Sequence, residues 1–284
     1  MPVTDSPLRY PGGKTQLVPF IASLLRHNNL AGGVYAEPFA GGAGAALKLL
    51  FQGDVSEIWL NDLDRAVHAL WATILREPDY LCERIRRSRV SMAEWHRQRG
   101  VLEDTSSTRQ ERGYAALFLN RTNRSGILKG GVIGGKQQNG TYKLDCRFNK
   151  TEIISKIERI HSYRDVITLT RHDAETCIRR WEKALPPRGL VNIDPPYYSK
   201  GRDLYLSFYE HSDHVRLAKL VKSLEVRWML TYDDAPQIES LYSGLPLFRT
   251  SLTYYAQVKR RASEILVLSP SLVHPALPAR REAA

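Results

Sequence analysis

Short apolar runs, bounded by glycine, proline or polar residues, recur along the chain, and helical stretches separate them. The runs predict five buried strands, over Val34–Glu37, Glu57–Leu60, Val166–Leu169, Leu190–Ile193 and Arg227–Thr231. Helices are predicted over the stretch AALKLLF, over roughly residues 64–76 and near residues 211–224. Strands that alternate with helices in this way predict an α/β fold with a mostly parallel sheet.

The end of the chain has an antiparallel character. Two further strands are predicted over Ser251–Ala256 and Glu264–Leu268. A basic turn, Lys259–Arg261, is predicted between them. The two strands are therefore expected to form a hairpin at the edge of the sheet.

The middle of the chain breaks the strand–helix rhythm. Residues 84–150 carry dense Arg and Lys, two glycine pairs and few clean apolar runs. We therefore predict that residues 1–83 and 161–284 form one α/β domain. Residues 84–160 are predicted to be an insertion made mainly of helices and loops.

The strand Leu190–Ile193 stops abruptly at Asp194-Pro195-Pro196-Tyr197, the most informative stretch of the chain. Two prolines cannot extend a hydrogen-bonded ladder and each fixes φ, so the strand end is rigid. Ligands of open α/β sheets bind off the carboxyl ends of strands. A carboxylate and a backbone carbonyl there can accept both hydrogens of an exocyclic amine, while a tyrosine ring stacks on the attached base. The stretch therefore predicts chemistry at an amino group on a flat heterocycle.

A nucleotide-like cofactor is predicted by the turn between the first strand and its helix. Gly41, Gly42 and Gly44 let a ligand approach the backbone there. Asp62 ends the next strand, where an acid can grip two ribose hydroxyls; a helix N-cap is its alternative role. Asp173 follows a strand closely and is a candidate neighbour of the cofactor adenine, although a surface acid fits the sequence equally well.

The stretch Pro11–Thr15 contains Gly-Lys-Thr but does not form a P-loop. The glycine that this motif needs upstream is replaced by Leu8. Lys14 therefore remains a candidate cation for a ligand carboxylate.

The charge balance favours a polyanionic partner. The chain has 284 residues, with 41 Lys and Arg against 30 Asp and Glu, and a formal net charge of +11. A polar and basic segment, Phe118–Ile127, concentrates side chains of the kinds that contact bases and phosphates. An ordinary solvated loop is the alternative interpretation. Nucleic acid is the partner that these observations favour most.

Cysteine usage and hydropathy bound the remaining classes. The three cysteines, Cys82, Cys146 and Cys177, are widely spaced and form no Cys-x-x-Cys pair, so neither a zinc site nor a disulfide framework is expected. No signal peptide and no apolar run of about 18 residues is present. A cytoplasmic protein without a metal is therefore expected.

Five motifs, in this order, closely resemble those of Dam-like, D12-class DNA adenine-N6 methyltransferases. They are YPGGK (Tyr10–Lys14), EPFAGGAG (Glu37–Gly44), LNDLD (Leu60–Asp64), LNRTNRSG (Leu119–Gly126) and DPPYY (Asp194–Tyr198). The resemblance covers about residues 7–270. It implies a Rossmann-like methyltransferase sheet with an antiparallel edge hairpin, S-adenosylmethionine as methyl donor, and duplex DNA as substrate.

The resemblance also implies three groups of site residues. The catalytic group is Asp194, Pro195, Pro196 and Tyr197. The cofactor group, with Asp173 added from its position after a strand, is Tyr10, Lys14, Glu37, Phe39, Gly41, Gly42, Gly44, Asp62, Asp173 and Asp194. The DNA group is Arg121, Asn123, Arg124, Ser125, Lys129 and Lys136. Many relatives carry an aromatic residue and Asn-Gly within the last stretch, where this chain has Asn123–Gly126, so their GATC target does not follow for this chain.

The predicted function is methylation of the N6 amino group of an adenine flipped out of DNA. The alternatives are the same chemistry on cytosine N4 or on adenine in RNA, a non-catalytic DNA-binding module, and an NAD-dependent dehydrogenase. A monomeric bacterial or phage protein is expected, with a cognate restriction endonuclease as a candidate partner.

Overall fold

Seven strands form one sheet in the computed structural model, which describes residues 4–9, 14–199, 209–255 and 259–275, without the side chains of 251–262. The strands are β1 (Val34–Glu37), β2 (Glu57–Asn61), β3 (Ile167–Thr170), β4 (Gly189–Ile193), β5 (Trp228–Asp233), β6 (Leu247–Tyr255) and β7 (Lys259–Leu268). Their order across the sheet is β3-β2-β1-β4-β5-β7-β6.

Parallel pairing dominates the sheet. Strands β3, β2, β1, β4 and β5 run parallel to their neighbours, whereas β7 is antiparallel to both β5 and β6. This arrangement confirms the predicted mostly parallel sheet with an antiparallel edge hairpin. The chain leaves β1 for β2 on one side, and β4 lies on the other side, so the topological switch point falls between β1 and β4.

The predicted basic turn is wrong. Residues Lys259–Arg261 belong to β7 and pair with Tyr255–Thr253 of β6. Strand β5 pairs with β7 only over Glu264–Leu268, so the hairpin continues beyond β5. A ladder is held by main-chain groups, so consecutive basic side chains do not by themselves end a strand.

Ten α-helices surround the sheet within the described ranges. They are α1 (Val18–His27), α2 (Gly44–Gln52), α3 (Arg65–Arg76), α4 (Pro78–Arg87), α5 (Met92–Glu103), α6 (Arg109–Thr122), α7 (Lys150–Ser162), α8 (Ala174–Ala184), α9 (His211–Ser223) and α10 (Pro236–Leu241). Short 3₁₀ helices cover Lys14–Leu17, Arg124–Gly126 and Arg164–Val166. None of the helices in these ranges has the length and apolar character needed to cross a bilayer.

The core lies in two layers, one on each face of the sheet. Alternate strand residues face opposite layers, as Leu190 and Val191 do in β4. One layer is covered by α1 to α3 and the inserted helices, and the other by α8 to α10.

Helix α6 is buried from Arg112 to Thr122 and packs closely on α3, because a Cβ at Gly113 would lie 2.9 Å from the Ala69 carbonyl oxygen. The inserted helices therefore share the core of the sheet. The division at residues 84–160 stays a prediction.

Candidate active site

Polar side chains from four adjacent strands converge on one face of the sheet. Glu37 ends β1, Asp194 follows β4, Thr231 lies near the end of β5, and Glu264 lies in β7. Each is an even number of positions from an apolar residue of the same core layer, namely Tyr35, Leu190, Met229 and Leu266. Because side chains alternate between faces, all four project to the same side.

A buried lysine lies at the centre of this group. Lys14 begins the 3₁₀ helix that leads into α1, and its side chain is only 3% exposed. Its Nζ lies 2.7 Å from Asp194 Oδ1, 2.9 Å from Oδ2 and 3.6 Å from Glu264 Oε1. A buried ammonium is costly unless it is paired, and here two carboxylates pair with it. The structure thus brings Lys14 to the predicted catalytic stretch; its contact with a cofactor stays a prediction.

Two donors orient the Asp194 carboxylate. Thr231 Oγ1 donates a hydrogen bond to Asp194 Oδ1 at 2.8 Å, and Lys14 holds both oxygens. The Asp194 side chain remains 23% exposed, whereas Pro195 and Pro196 are buried. The Asp194 carboxylate is therefore held by hydrogen bonds within the protein, while part of its surface remains accessible to a ligand.

The Tyr197 ring is fixed from beneath. Its hydroxyl donates a hydrogen bond to Glu264 Oε1 at 2.9 Å, and the Lys14 Nζ lies 5.3 Å from the ring centroid. Burial raises the pKa of Glu264 to about 7, although the neighbouring Lys14 lowers it. Tyr197 is 8% exposed, so its orientation is set largely by the protein.

The residues after Tyr197 are held by the end of β5. Asp233 accepts hydrogen bonds from the backbone N–H groups of Tyr198 and Ser199, at 2.8 and 2.9 Å. Asp233, Thr231 and Glu264 were all missed at the sequence level. A polar residue near the end of the otherwise apolar strand β5 is the signal that could have found Thr231 and Asp233, whereas Glu264 lies within β7 and has no such signal.

Glu37 is a buried carboxyl beside the same group. It is 6% exposed. Burial raises the pKa of Glu37 to about 8, and the nearby Asp194 carboxylate raises it as well. Burial therefore favours the protonated form of Glu37, which can donate a hydrogen bond.

The glycine-rich turn follows β1 and is held by Asp62, which comes directly after β2, and by Trp71 of α3. Gly41 has φ +47° and donates its N–H to Asp62 Oδ2 at 2.8 Å. Its carbonyl accepts the indole N–H of Trp71 at 2.9 Å, and Gly42 beside it is buried. A Cβ at Gly44 would lie 2.7 Å from the hydroxyl of Thr15, next to Lys14. The turn and the lysine helix are thus in direct contact.

Asp62 shapes the turn and does not cap the following helix. Its second oxygen accepts the Asp64 N–H at 2.9 Å, and Asp64 is the N-cap of α3. Burial raises the pKa of Asp62 to about 7, with a further contribution from the Asp64 charge. The N-cap alternative is therefore wrong, and the carboxylate lies where the turn meets the end of β2.

Two other cofactor candidates, Phe39 and Asp173, directly follow residues that Asn61 contacts. The Asn61 side-chain amide donates to the carbonyls of Pro38 and His172 at 3.0 Å each, and so ties the loops after β1 and β3 together. Phe39 contacts Tyr209 edge-on, with ring centroids 5.9 Å apart. Asp173 is exposed and caps α8. Tyr10 lies outside the described residues.

Two of the predicted DNA residues are buried. The Asn123 amide donates to the carbonyls of Ile127 and Leu128 at 2.9 Å each, and its oxygen accepts the Trp95 indole N–H at 2.7 Å. Arg121 donates to the Pro7 carbonyl at 2.7 Å, and burial lowers its pKa to about 10. Both side chains face the protein interior, so we propose that they hold this turn and do not contact DNA.

The other four DNA candidates lie at or near the surface. Arg124, Lys129 and Lys136 are exposed, and Ser125 is half-buried with φ +56°. Sequence composition identified this segment but could not separate the exposed cations from the buried ones.

One side-chain amide joins this turn to the start of the chain. Asn120 accepts the Arg9 N–H at 2.8 Å, and it donates to the Arg9 carbonyl at 2.9 Å and the Gly126 carbonyl at 2.8 Å. The turn after α6 is therefore tied to the segment that precedes Lys14.

The geometry fits a nucleotide-like cofactor that lies beside a carboxylate able to accept hydrogen bonds from an amine. The turn with Gly41 and the Asp62 carboxylate lies at the carboxyl edge of β1 and β2, next to the switch point where such ligands bind. Asp194 faces the same region from β4. In the described ranges, no group of three or more His, Cys, Asp or Glu side chains is placed to hold a metal ion.

Comparison with known proteins identifies a family. A family model described as D12 class N6 adenine-specific DNA methyltransferase matches residues 10–259. No curated protein gives a significant match. A Pyrococcus horikoshii protein, PH1948, described as a candidate RNA methyltransferase, is 9% identical over 92% of this chain and 84% of its own, with a TM-score of 0.42. The rRNA methyltransferase aviRa from Streptomyces viridochromogenes is 13% identical over 92% and 87%, with a TM-score of 0.41. The family model is therefore the comparison that bears on function.

Proposed function

The chain belongs to the D12 class of N6 adenine-specific DNA methyltransferases, and we propose that it methylates an adenine flipped out of duplex DNA at a specific sequence. The family makes the protein an enzyme that uses S-adenosylmethionine and acts on DNA. The observation that carries the proposal is the Asp194 carboxylate, held by Lys14 and Thr231 beside the glycine-rich turn.

The residues near the switch point fit the cofactor. S-adenosylmethionine supplies an electrophilic methyl group on a positively charged sulfur. We propose that Gly41 and Gly42 offer backbone to it, and that Asp62 holds its ribose hydroxyls. Glu37, Phe39 and the segment around Asp173 complete the proposed site.

The adenine amine is a weak nucleophile, because its lone pair is delocalised into the ring. We propose that the Asp194 carboxylate and the Pro195 carbonyl each accept a hydrogen bond from one amino N–H, which frees the lone pair for the bond to the methyl carbon. The carbon–sulfur bond breaks as this bond forms, and the proton released from the nitrogen passes to solvent. Rigid prolines keep the two acceptors in place, so positioning and electrostatics lower the barrier. Lys14 contacts both oxygens of the Asp194 carboxylate and so fixes its orientation toward the amine.

Binding of the flipped base must offset the free energy that is needed to extrude it from the duplex. Extrusion from the duplex costs a few kcal/mol, and stacking of the base on Tyr197 can return ~1–3 kcal/mol. The exposed cations Arg124, Lys129 and Lys136 are the residues that we propose contact phosphates or base edges.

Substitution of the carboxylate tests the proposal. With tritiated S-adenosylmethionine and duplex DNA, Asp194→Ala should reduce the methylation rate by at least ~100-fold, the size expected when a transition-state contact is removed. Asp165→Ala changes an acid whose side chain is 83% exposed and serves as the matched control. Wild-type methylation by Asp194→Ala would refute the assigned role.

Digestion of the product DNA identifies the methylated atom. Mass detection of N6-methyladenine supports the proposal, whereas N4-methylcytosine, or methylation of RNA in preference to DNA, would contradict it. Calorimetry with S-adenosylmethionine then tests the ribose contact, because Asp62→Ala should weaken binding by at least about tenfold, while Asp165→Ala should not.

We also propose that the protein acts as a monomer in the cytoplasm of a bacterium, or of a cell infected by a phage that encodes it. A restriction endonuclease with the same target is the partner that such methylation would protect against. Methylome sequencing of cells that express the chain would identify the target sequence.

A further inference from the structure

We propose that Glu264 is a positioning residue of the methyl-transfer site. Glu264 shares the Lys14 charge with Asp194 and accepts a hydrogen bond from the Tyr197 hydroxyl. The inference rests on the proposed function, since it concerns how strongly Asp194 accepts the adenine amine. Glu264 lies in β7, far along the chain from the Asp194–Tyr197 stretch, and it is 1% exposed. It therefore acts through other residues.

Glu264 contacts the Tyr197 hydroxyl and the Lys14 ammonium, and the same ammonium pairs with Asp194. One carboxylate oxygen accepts the Tyr197 O–H at 2.9 Å and lies 3.6 Å from the Lys14 Nζ. The same ammonium lies 2.7 Å from Asp194. One cation is therefore shared by two carboxylates, of which only Asp194 is open to a ligand.

The sharing sets the properties of Asp194. When Glu264 is charged, it takes up part of the Lys14 charge, and Asp194 keeps more electron density for the adenine amine. When Glu264 is neutral, the Lys14 charge acts more strongly on Asp194, and the Asp194 carboxylate becomes a poorer acceptor. The same change weakens the acceptor of the Tyr197 hydroxyl, so the ring is held less firmly.

The surroundings of Glu264 place this change near neutral pH. The 3₁₀ helix presents Lys14, the end of β4 presents Asp194 and Tyr197, and β5 carries Asp233 opposite it in the ladder. Burial raises the pKa of Glu264 to about 7, and Lys14 opposes this shift. As pH falls through about 7, Glu264 takes up a proton and methylation should slow.

The experiment measures kcat and KM for DNA methylation between pH 6 and 9. Glu264→Gln keeps the shape and an acceptor for Tyr197 but fixes the neutral state. We expect its kcat at pH 8 to fall at least about tenfold, with KM for S-adenosylmethionine changed less than about twofold. The decline of kcat below pH 7 should flatten, because the group that titrates is gone. Glu225→Gln, which changes an exposed glutamate before β5, is the matched control and should behave as wild type.

Combination with Tyr197→Phe separates the two contacts. If Glu264 acts partly through the tyrosine hydroxyl, the losses of the two single variants will not add in the double variant. A Glu264→Gln enzyme with the wild-type kcat and pH profile would overturn the inference. An inactive wild type, by contrast, would refute the proposed function and is distinguished before any variant is compared.

A second variant covers poor folding of Glu264→Gln. Glu264→Asp keeps the charge but shortens the reach to Tyr197. It should lower kcat while keeping the decline on the acid side, and a profile equal to that of the wild type in both respects would overturn the inference.

Discussion

Asn123→Ala should destabilise the protein without selectively removing DNA recognition. Asn123 lies in the stretch that resembles the DNA-contacting region of relatives, yet it is 0% exposed. Its amide and oxygen make three hydrogen bonds within the protein. The substitution therefore removes the hydrogen bonds that connect α5, the end of α6 and the turn that follows α6.

The expected magnitude follows from those bonds. Each neutral hydrogen bond contributes ~1 kcal/mol net, and a buried donor left without an acceptor costs ~1–3 kcal/mol. Truncation leaves the indole N–H of Trp95, a residue 3% exposed, without its acceptor. We expect the free energy of unfolding to fall by ~3 kcal/mol in total.

Urea unfolding followed by tryptophan fluorescence measures this loss. At a slope of ~2–3 kcal/mol per molar urea, the midpoint should fall by about 1 M. Arg124→Ala, one position along and exposed, is the matched control and should change stability by less than ~0.5 kcal/mol.

Sequence discrimination is then measured on the folded fraction of each variant. Methylation of cognate and single-mismatch duplexes should show altered discrimination in Arg124→Ala and not in Asn123→Ala. The reasoning is refuted if Asn123→Ala keeps wild-type stability but loses discrimination, because the side chain would then face DNA and not the protein.

Three other predictions concern the turn, a buried carboxyl and the basic surface. Gly44→Ala should cost ~1–3 kcal/mol of stability by crowding Thr15, and the double variant with Thr15→Ala should recover much of it; a double variant no better than Gly44→Ala would contradict the contact. Glu37 is ionised in the unfolded chain above its usual pKa near 4.5 but stays protonated in the folded protein up to about pH 8, so stability of the cofactor-free protein should fall as pH rises from 5 to 8. Because the raised pKa values of Asp62 and Glu264 contribute to the same slope, Glu37→Gln should reduce it in thermal melts without removing it, and an unchanged slope would exclude Glu37 as a source. Lys129→Ala and Lys136→Ala should each reduce the salt dependence of DNA binding by about one unit of slope, measured by fluorescence anisotropy; a slope equal to the wild type would place that lysine away from phosphate.

The strands were predictable because their signal is local. Val34–Glu37 is a short apolar run stopped by Pro38, and the structure begins and ends β1 at the predicted residues. The sequence does not reveal that Lys259–Arg261 lie in a strand, because a ladder depends on main-chain pairing with a partner strand, which side-chain composition does not report.

The site was predictable only where chemistry and local geometry coincide. Asp194 and Tyr197 stand out because prolines fix them at a strand end. Glu264 carries no such mark, since its role depends on a contact with Tyr197 across 67 positions. Asn123 has the residue type expected of a DNA contact, but its direction is decided by the burial of α6, which a single sequence does not display.

The shared ammonium of Lys14 has a consequence for the order of folding. It meets Asp194 across 180 positions of the chain, and Asn120 grips the backbone of Arg9 across 111. Such distant contacts form late, because the chain loses conformational entropy when it closes a long loop, and the contact offsets this loss only after the loop has closed. Strand β7, which brings Glu264, is also the last described strand to be synthesised, although it lies between β5 and β6.

We therefore expect methylation activity to return later than helical circular dichroism during refolding, and simultaneous recovery would contradict this order. A chain that has not yet placed β7 has the glycine-rich turn but no buried anchor beneath Tyr197. With the role proposed for Glu264, the enzyme gains methylation activity only when its sheet is complete, and incompletely folded copies do not methylate DNA.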